Sequence, residues 1–314
     1  MKKILRLGFS VILLLLLGFV GFLLVREETI VLNDLELLES ESRVVPWGVA
    51  LVNPHGHSEI GARTVRVAIL DDGVYANHPD LEGRVVAQYN VMAEAGGALS
   101  YDASHGTAVA GIIAAVNNGT GIVGVSQNVE LYSIIISTAD GRVNRQDFIN
   151  GIEWAIENDI DIINASLGFL RDSDDLKEAV ERAINHGIVV LAASGNTNGL
   201  NALFPARHVD VISVGSINAA NQLSAISAIG KIDFVAPGVD VLSLTPGGGY
   251  ELFEGSSFAV AFVTGIVAEY LAHNDVARNE YRQSVIFDYL LSISRPLNDS
   301  KERVGNGVPI IPER

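Results

Sequence analysis

The order of apolar and polar positions divides the chain into two unlike parts. Leu7 to Val25 is an uncharged run of 19 residues, with Lys2, Lys3 and Arg6 before it and Arg26, Glu27 and Glu28 after it. That length suffices for one transmembrane helix, and the basic flank orients it with the remainder outside the cytoplasm. Residues 1–25 are therefore expected to be a signal-anchor, or a signal peptide, although no small-residue cleavage site stands out. The anchor reading gives a single-pass protein of the cell membrane with an extracellular domain. Cleavage would give a secreted one. Residues 26–43 are acidic with a few aliphatics and read as a stalk or short pro-segment.

From Val44 the pattern changes. Short, nearly continuous apolar runs recur at 65–70, 129–137, 159–165, 187–193 and 209–217. Helical patterns lie between and after them, at 106–116, 146–158, 174–186 and 257–273. Strands that are apolar on both sides, alternating with helices, predict a mainly parallel central sheet with helices on both faces. With no internal repeat and no long linker, residues 44–314 are expected to form one three-layer α/β domain.

Composition narrows the partners. A 48% hydrophobic content with 18% charged residues excludes a predominantly disordered chain. The net charge is −16, and three of the 21 basic residues sit in the first six positions, so the expected exported part is more acidic still. Nucleic acid is a poor partner for such a surface. The absence of cysteine excludes a thiol nucleophile, a disulfide framework and a Cys-ligated zinc.

Three segments carry candidate chemistry. In Val67-Ala68-Ile69-Leu70-Asp71-Asp72-Gly73 an apolar strand ends on a carboxylate and turns at glycine. In His105-Gly106-Thr107-Ala108-Val109-Ala110-Gly111 a histidine opens a small-residue helix, and in Gly255-Ser256-Ser257-Phe258-Ala259-Val260-Ala261 a serine opens an apolar one. Ligands of open α/β sheets bind beyond the carboxyl ends of the strands, where all three polar residues are expected to fall. Singly, each is as readily a turn residue, a surface histidine or a helix cap. Together they supply an acid, a base and a nucleophile in the order Asp71, His105, Ser257.

These blocks resemble the subtilisin-like serine proteases (subtilases, peptidase family S8), and the likeness covers nearly all of Val45–Val308. His78-Pro79-Asp80-Leu81, Ala192-Ala193-Ser194-Gly195-Asn196, Asn164-Ala165-Ser166-Leu167-Gly168, Val235-Ala236-Pro237-Gly238 and Gly305-Asn306-Gly307-Val308 follow the same family. The resemblance implies the subtilisin-like fold and a serine endopeptidase that needs no cofactor for its chemistry. Ser257 would be the nucleophile, His105 the general base and acid, and Asp71 the group that orients the imidazole. Asn196 would donate its side-chain amide to the oxyanion.

The resemblance also implies a peptide or protein substrate bound as an added strand between Gly141-Arg142-Val143 and Ser166-Leu167-Gly168. Thr197 at the pocket neck is uncharged, and Leu203 before Phe204-Pro205 would make the pocket shallow. An apolar or small P1 residue is expected. Arg142 and Arg145 would either favour acidic residues upstream of the cut or lie solvated in their loop. A structural calcium ion is implied by Asp80 and Asn118 as side-chain ligands, with Val116, Thr120 and Ile122 giving carbonyls. Arg43 stands where the family has a neutral amide ligand, and its guanidinium could fill the position instead. The stretch between anchor and domain is too short for the family's folded inhibitory prodomain.

Overall fold

The computed structural model describes residue 34 and residues 43–56, 61–92, 103–137 and 142–313. The expected anchor (1–25), nearly all of the acidic segment and Gly141 lie outside the described residues.

Seven strands form the central sheet: β2 (Val65–Asp71), β3 (Val85–Asn90), β5 (Val129–Ile135), β6 (Ile162–Ala165), β7 (Val189–Ala193), β8 (Ile212–Ile217) and β9 (Phe234–Pro237). Their order is β3-β5-β2-β6-β7-β8-β9, and every neighbouring pair is parallel. Strands β6 to β9 are buried at every position, as their mostly apolar sequences require, with Asn164, Ser213 and Ser216 as buried polar exceptions.

Successive side chains of β2 point to opposite faces, so one strand feeds two cores. Val67 and Ile69 pack with helix α2 (Ser104–Ala114) and helix α5 (Ser256–His273). Ala68 and Leu70 pack with helix α3 (Arg145–Glu157) and helix α4 (Asp174–Asn185). The result is the expected three layers. Helix α1 (Trp47–Val52) and helix α6 (Arg282–Ser292) complete the α2/α5 face.

Helix α5 is apolar all round because it runs through the core, and fifteen of its eighteen residues are buried. Among the described residues it is the one helix long and apolar enough to cross a membrane, but its burial makes it the central helix of the domain. Helix α3 starts at Asn144, whose side chain accepts the N–H of Asp147 at 2.8 Å, and carries its apolar residues on one face.

Two pairings outside the main sheet bear on the site. Strand β1 (Arg43–Val44) pairs in parallel with β4 (Gly121–Ile122). Strands β10 (Val241–Thr245) and β11 (Gly249–Phe253) form a hairpin that leads directly into α5. The pattern reading did not foresee this hairpin, α1, α6 or strands β3 and β9. They are short, or alternate incompletely, and tertiary packing defines them.

Candidate active site

Asp71 is the last residue of β2 and Ser257 the second of α5, while His105 lies in the first turn of α2. Strand β2 is flanked by β5 on one side and β6 on the other. The connection from β3 to β5 passes through α2 on one face and that from β5 to β6 through α3 on the other, so the chain changes face beside β2 and a crevice opens at the carboxyl ends of the strands. That topology brings together residues far apart in sequence.

The Asp71 carboxylate receives the His105 Nδ1 proton at 2.8 Å from Oδ1 and 3.0 Å from Oδ2. Asp71 is 7% exposed, whereas the His105 side chain keeps 37% of its surface open to the cleft. One carboxylate oxygen is also held by the N–H of Asp72 at 2.8 Å. A buried carboxylate so fixed holds the ring in the tautomer that leaves Nε2 free to take a proton.

Asp72 has a role that motif reading left unassigned. Its Oδ1 accepts the N–H of Gly106 at 2.8 Å and its Oδ2 the N–H of His105 at 3.2 Å. It therefore caps α2 from a neighbouring strand, in place of the local residue Ala103, which lies in the left-handed region. The two chains are so close that a Cβ on Gly106 would stand 2.1 Å from the Gly73 carbonyl oxygen, which excludes any side chain there. The doubled acid of the Asp71-Asp72-Gly73 block was the available signal.

The two carboxylates set the charge state of the site. Burial and then the Asp71 charge push the Asp72 carboxyl up to about 6, against the pull of its N–H partners. For His105, burial disfavours the imidazolium. The Asp71 charge and hydrogen bond, with the Asp72 charge, outweigh it and raise the group to about 9. Phe258 closes one side of the ring, at 5.2 Å between centroids, and Phe253 backs Phe258 at 5.0 Å.

Ser257 is half-buried at the mouth of α5. Its Oγ donates to the carbonyl of Ser166 at 2.9 Å, and no hydrogen bond joins it to His105 among the described residues. Hydrogen bonds between such groups commonly tighten only when a ligand is bound. The helix that begins here directs its free N–H groups at the same point.

Asn196 is exposed to the cleft, and its orientation is fixed through one atom. Its Oδ1 accepts from the Ser256 N–H at 3.0 Å and the Ser256 hydroxyl at 3.1 Å. Ser256 Oγ in turn accepts the Gly195 N–H at 3.0 Å. With its oxygen tied down, Asn196 presents its Nδ2 protons. Nδ2 lies 2.7 Å from where a Cβ on Gly255 would stand, and Gly255 has φ +139°, so both space and backbone demand glycine. Ser256 was not singled out from the sequence, because a serine beside the candidate nucleophile reads as ordinary helix-start chemistry.

The residues expected to wall the substrate sit on two loops. Ser166, Leu167 and Gly168 follow β6, and Arg142 and Val143 precede α3, with Val143 bridged antiparallel to Ser137. Arg142 and Arg145 are both exposed. Leu203 packs between Gly168 and Gly195. A Cβ on Gly168 would stand 2.5 Å from Leu203 Cβ, and one on Gly195 2.8 Å from both Leu203 Cγ and Cδ1.

The residues expected to ligate calcium surround Asp80. Loop 116–122 does wrap Asp80, with the Val116 N–H bonded to the Asp80 carbonyl at 2.8 Å. However, Asp80 Oδ2 already accepts the Ile122 N–H at 2.8 Å and the Tyr250 hydroxyl at 3.1 Å. Asn118 Oδ1 is likewise turned onto Thr120, accepting its N–H at 3.1 Å and its hydroxyl at 2.9 Å. A Cβ on Gly121 would lie 2.2 Å from Asp80 Oδ2, so carboxylate and loop backbone are in close contact. Asp80 Oδ2 and Asn118 Oδ1 thus each accept from protein donors, which hold the two side chains in place within the loop. Arg43 lies on β1, beside the loop. Its backbone pairs with Gly121, but its buried Nε has no hydrogen-bond partner. The Tyr250 hydroxyl, from the β10–β11 hairpin, ties that hairpin to the Asp80 carboxylate. Burial raises the Asp80 carboxyl above its ordinary range, and burial with the Asp80 charge raises the Tyr250 phenol.

A parallel α/β sheet with an aspartate, a histidine and a serine at its carboxyl edge defines a hydrolase-like architecture of the subtilisin type. The comparisons agree: the sequence model of the subtilase family matches residues 62–307, and the chain belongs to that family. It is 38% identical over 242 residues to subtilisin NAT of Bacillus subtilis subsp. natto, covering 75% of this chain and 63% of that relative. It is 39% identical to a subtilisin of Bacillus pumilus, covering 75% and 87% respectively. An intracellular serine protease of Paenibacillus polymyxa is 36% identical over 290 residues, covering 87% and 88%.

Proposed function

We propose that this protein is a serine endopeptidase that cuts peptide bonds through an acyl-enzyme intermediate. The observation that carries the reading is the buried Asp71 carboxylate bonded to His105 Nδ1 beside the α5 mouth that bears Ser257. His105 Nε2 takes the Ser257 proton as Oγ attacks the carbonyl carbon. The negative charge on the carbonyl oxygen is met by Asn196 Nδ2 and the Ser257 N–H. His105 then protonates the leaving amine as the C–N bond breaks. A water, deprotonated by the same imidazole, attacks the acyl carbon and releases the second product and the free serine.

The substrate lies as a strand between residues 141–143 and 166–168, and the space occupied by Leu203 selects a small P1 side chain. The 19-residue uncharged run holds the enzyme in the cell membrane with the catalytic domain outside. A tethered catalytic domain suits the processing of exported polypeptides.

The test is fluorophosphonate labelling of the full-length chain in detergent, beside a Ser257→Ala control. Labelling of the wild type alone supports an activated serine. Equal labelling of both, or peptidase activity retained by the control, overturns the assignment. Washed membranes should hold the full-length species, and a shortened species in the medium would refute the anchor.

A further inference from the structure

Ser257 is joined to the interior by a chain of buried polar groups that none of the roles above requires. Thr264 lies seven residues after Ser257 on α5, two helical turns on, so both face β6. The Thr264 hydroxyl donates to Asn164 Oδ1 at 2.8 Å. Asn164 Nδ2 donates to Ser166 Oγ at 2.8 Å, and Ser166 Oγ donates to the Ser257 carbonyl at 3.3 Å. The Ser257 hydroxyl returns a bond to the Ser166 carbonyl at 2.9 Å.

All donors run in one direction, from the middle of α5 through the end of β6 to the nucleophile's own backbone. Asn164 and Thr264 have no exposed surface and Ser166 only 7%. Thr264 and Asn164 sit in an otherwise apolar core, where unpaired polar atoms are costly. Two apolar residues of matching shape would fill the space without that risk. The chain also determines which way each group points. With its oxygen taken by Thr264, Asn164 must offer its amide protons to Ser166.

We infer that Thr264 and Asn164 are positioning residues for the catalytic serine: their hydrogen bonds hold Ser166, and through it the Ser257 turn, at the geometry attack requires. Neither touches substrate. The inference rests on the reading of Ser257 as nucleophile. Small misplacements of a reacting group are expensive in rate, about 100-fold for 1 Å, whereas Thr264 and Asn164 lie behind the substrate walls.

The experiment compares Thr264→Val, which keeps the shape and removes the hydroxyl, with Thr264→Ser, which keeps the hydroxyl. Full-length chains are assayed for kcat, KM and fluorophosphonate labelling rate at 25 °C, with melting temperatures and a Ser257→Ala control. The expected result for Thr264→Val is a fall of about 10-fold in kcat and in labelling rate with KM within twofold of wild type. Thr264→Ser should restore both rates to within about twofold of wild type. If Thr264→Val does not fold, Thr264→Ala makes the same comparison with less bulk. A variant that melts earlier but keeps both rates shows a purely structural threonine and overturns the inference. Loss of rate in Thr264→Ser equal to that in Thr264→Val overturns it as well. The two readings fail separately: an active Ser257→Ala control defeats the nucleophile assignment, whereas an inactive control beside unchanged Thr264 variants defeats only the positioning role.

Discussion

Replacing Leu203 by glycine is the most direct probe of how this cleft selects its substrate. The Leu203 side chain stands between Gly168 and Gly195, close enough that neither could carry a methyl group without contact. Deleting it removes four carbons from the space beneath the P1 position. A P1 phenylalanine or leucine could then bury its outer carbons there. At about 0.8 kcal/mol per methylene, and with incomplete filling, the gain is about 2–3 kcal/mol. That corresponds to about 30–150-fold in kcat/KM for a large P1 residue relative to alanine. Leu203→Ala should fall between wild type and glycine. The assay is kcat/KM on a peptide series differing only at P1, from glycine through alanine to leucine and phenylalanine. Leu203 is half-buried, so the substitution also costs about 1–3 kcal/mol of stability, and melting curves must show a folded variant at the assay temperature. A phenylalanine-to-alanine ratio that stays within about threefold of wild type, in a folded Leu203→Gly protein, would refute the assigned pocket floor.

Other consequences are equally concrete. Asn196→Ala should lower kcat by about 10²–10³-fold with little change in KM, the size of loss typical of an oxyanion donor, and an unchanged kcat would remove Asn196 from that role. Because attack needs a neutral His105 and its carboxylate neighbours raise the imidazole to about 9, kcat/KM should climb with pH well beyond the ordinary histidine range. Asp72→Asn deletes one of the two charges behind that shift, so the acidic limb should move to lower pH; a limb that stays in place would exclude Asp72 from the electrostatics. Chelation by EDTA should leave the melting temperature unchanged, because Asp80 is held by Ile122 and Tyr250. A fall of several degrees, reversed by added calcium, would show that loop 116–122 does bind the ion.

The strands β2, β5, β6, β7 and β8 and helices α2 to α5 were legible because parallel strands buried on both faces are mostly apolar, while α3 and α4 keep a polar side and α2 and α5, enclosed in the core, are rich in small and apolar residues. The residues of the candidate triad were legible as well, since each stands where a strand ends or a helix begins. The hydrogen-bond partners of the expected calcium ligands were not legible, for an instructive reason. Ligand-type residues at suitable spacing say which oxygens are near one another, not which donors already occupy them. Tyr250, which occupies Asp80, comes from a hairpin 170 residues further along. Asp72 had a similar fate: its adjacency to Asp71 was visible, but its partners at the start of α2 lie 33 and 34 residues away.

What the sequence determined by itself was therefore the layer architecture, the family and the chemical types at the cleft, because periodicity and local motifs are properties of neighbouring residues. Only the tertiary structure decided which hydrogen bonds those groups make. It set Asp72 against His105, Ser256 against Asn196, Leu203 between two glycines, and Thr264 behind Ser257 through Asn164. Each of these contacts joins residues brought together by crossovers of the sheet, and burial makes every unpaired donor or acceptor costly, so the partner chosen is a property of the whole fold.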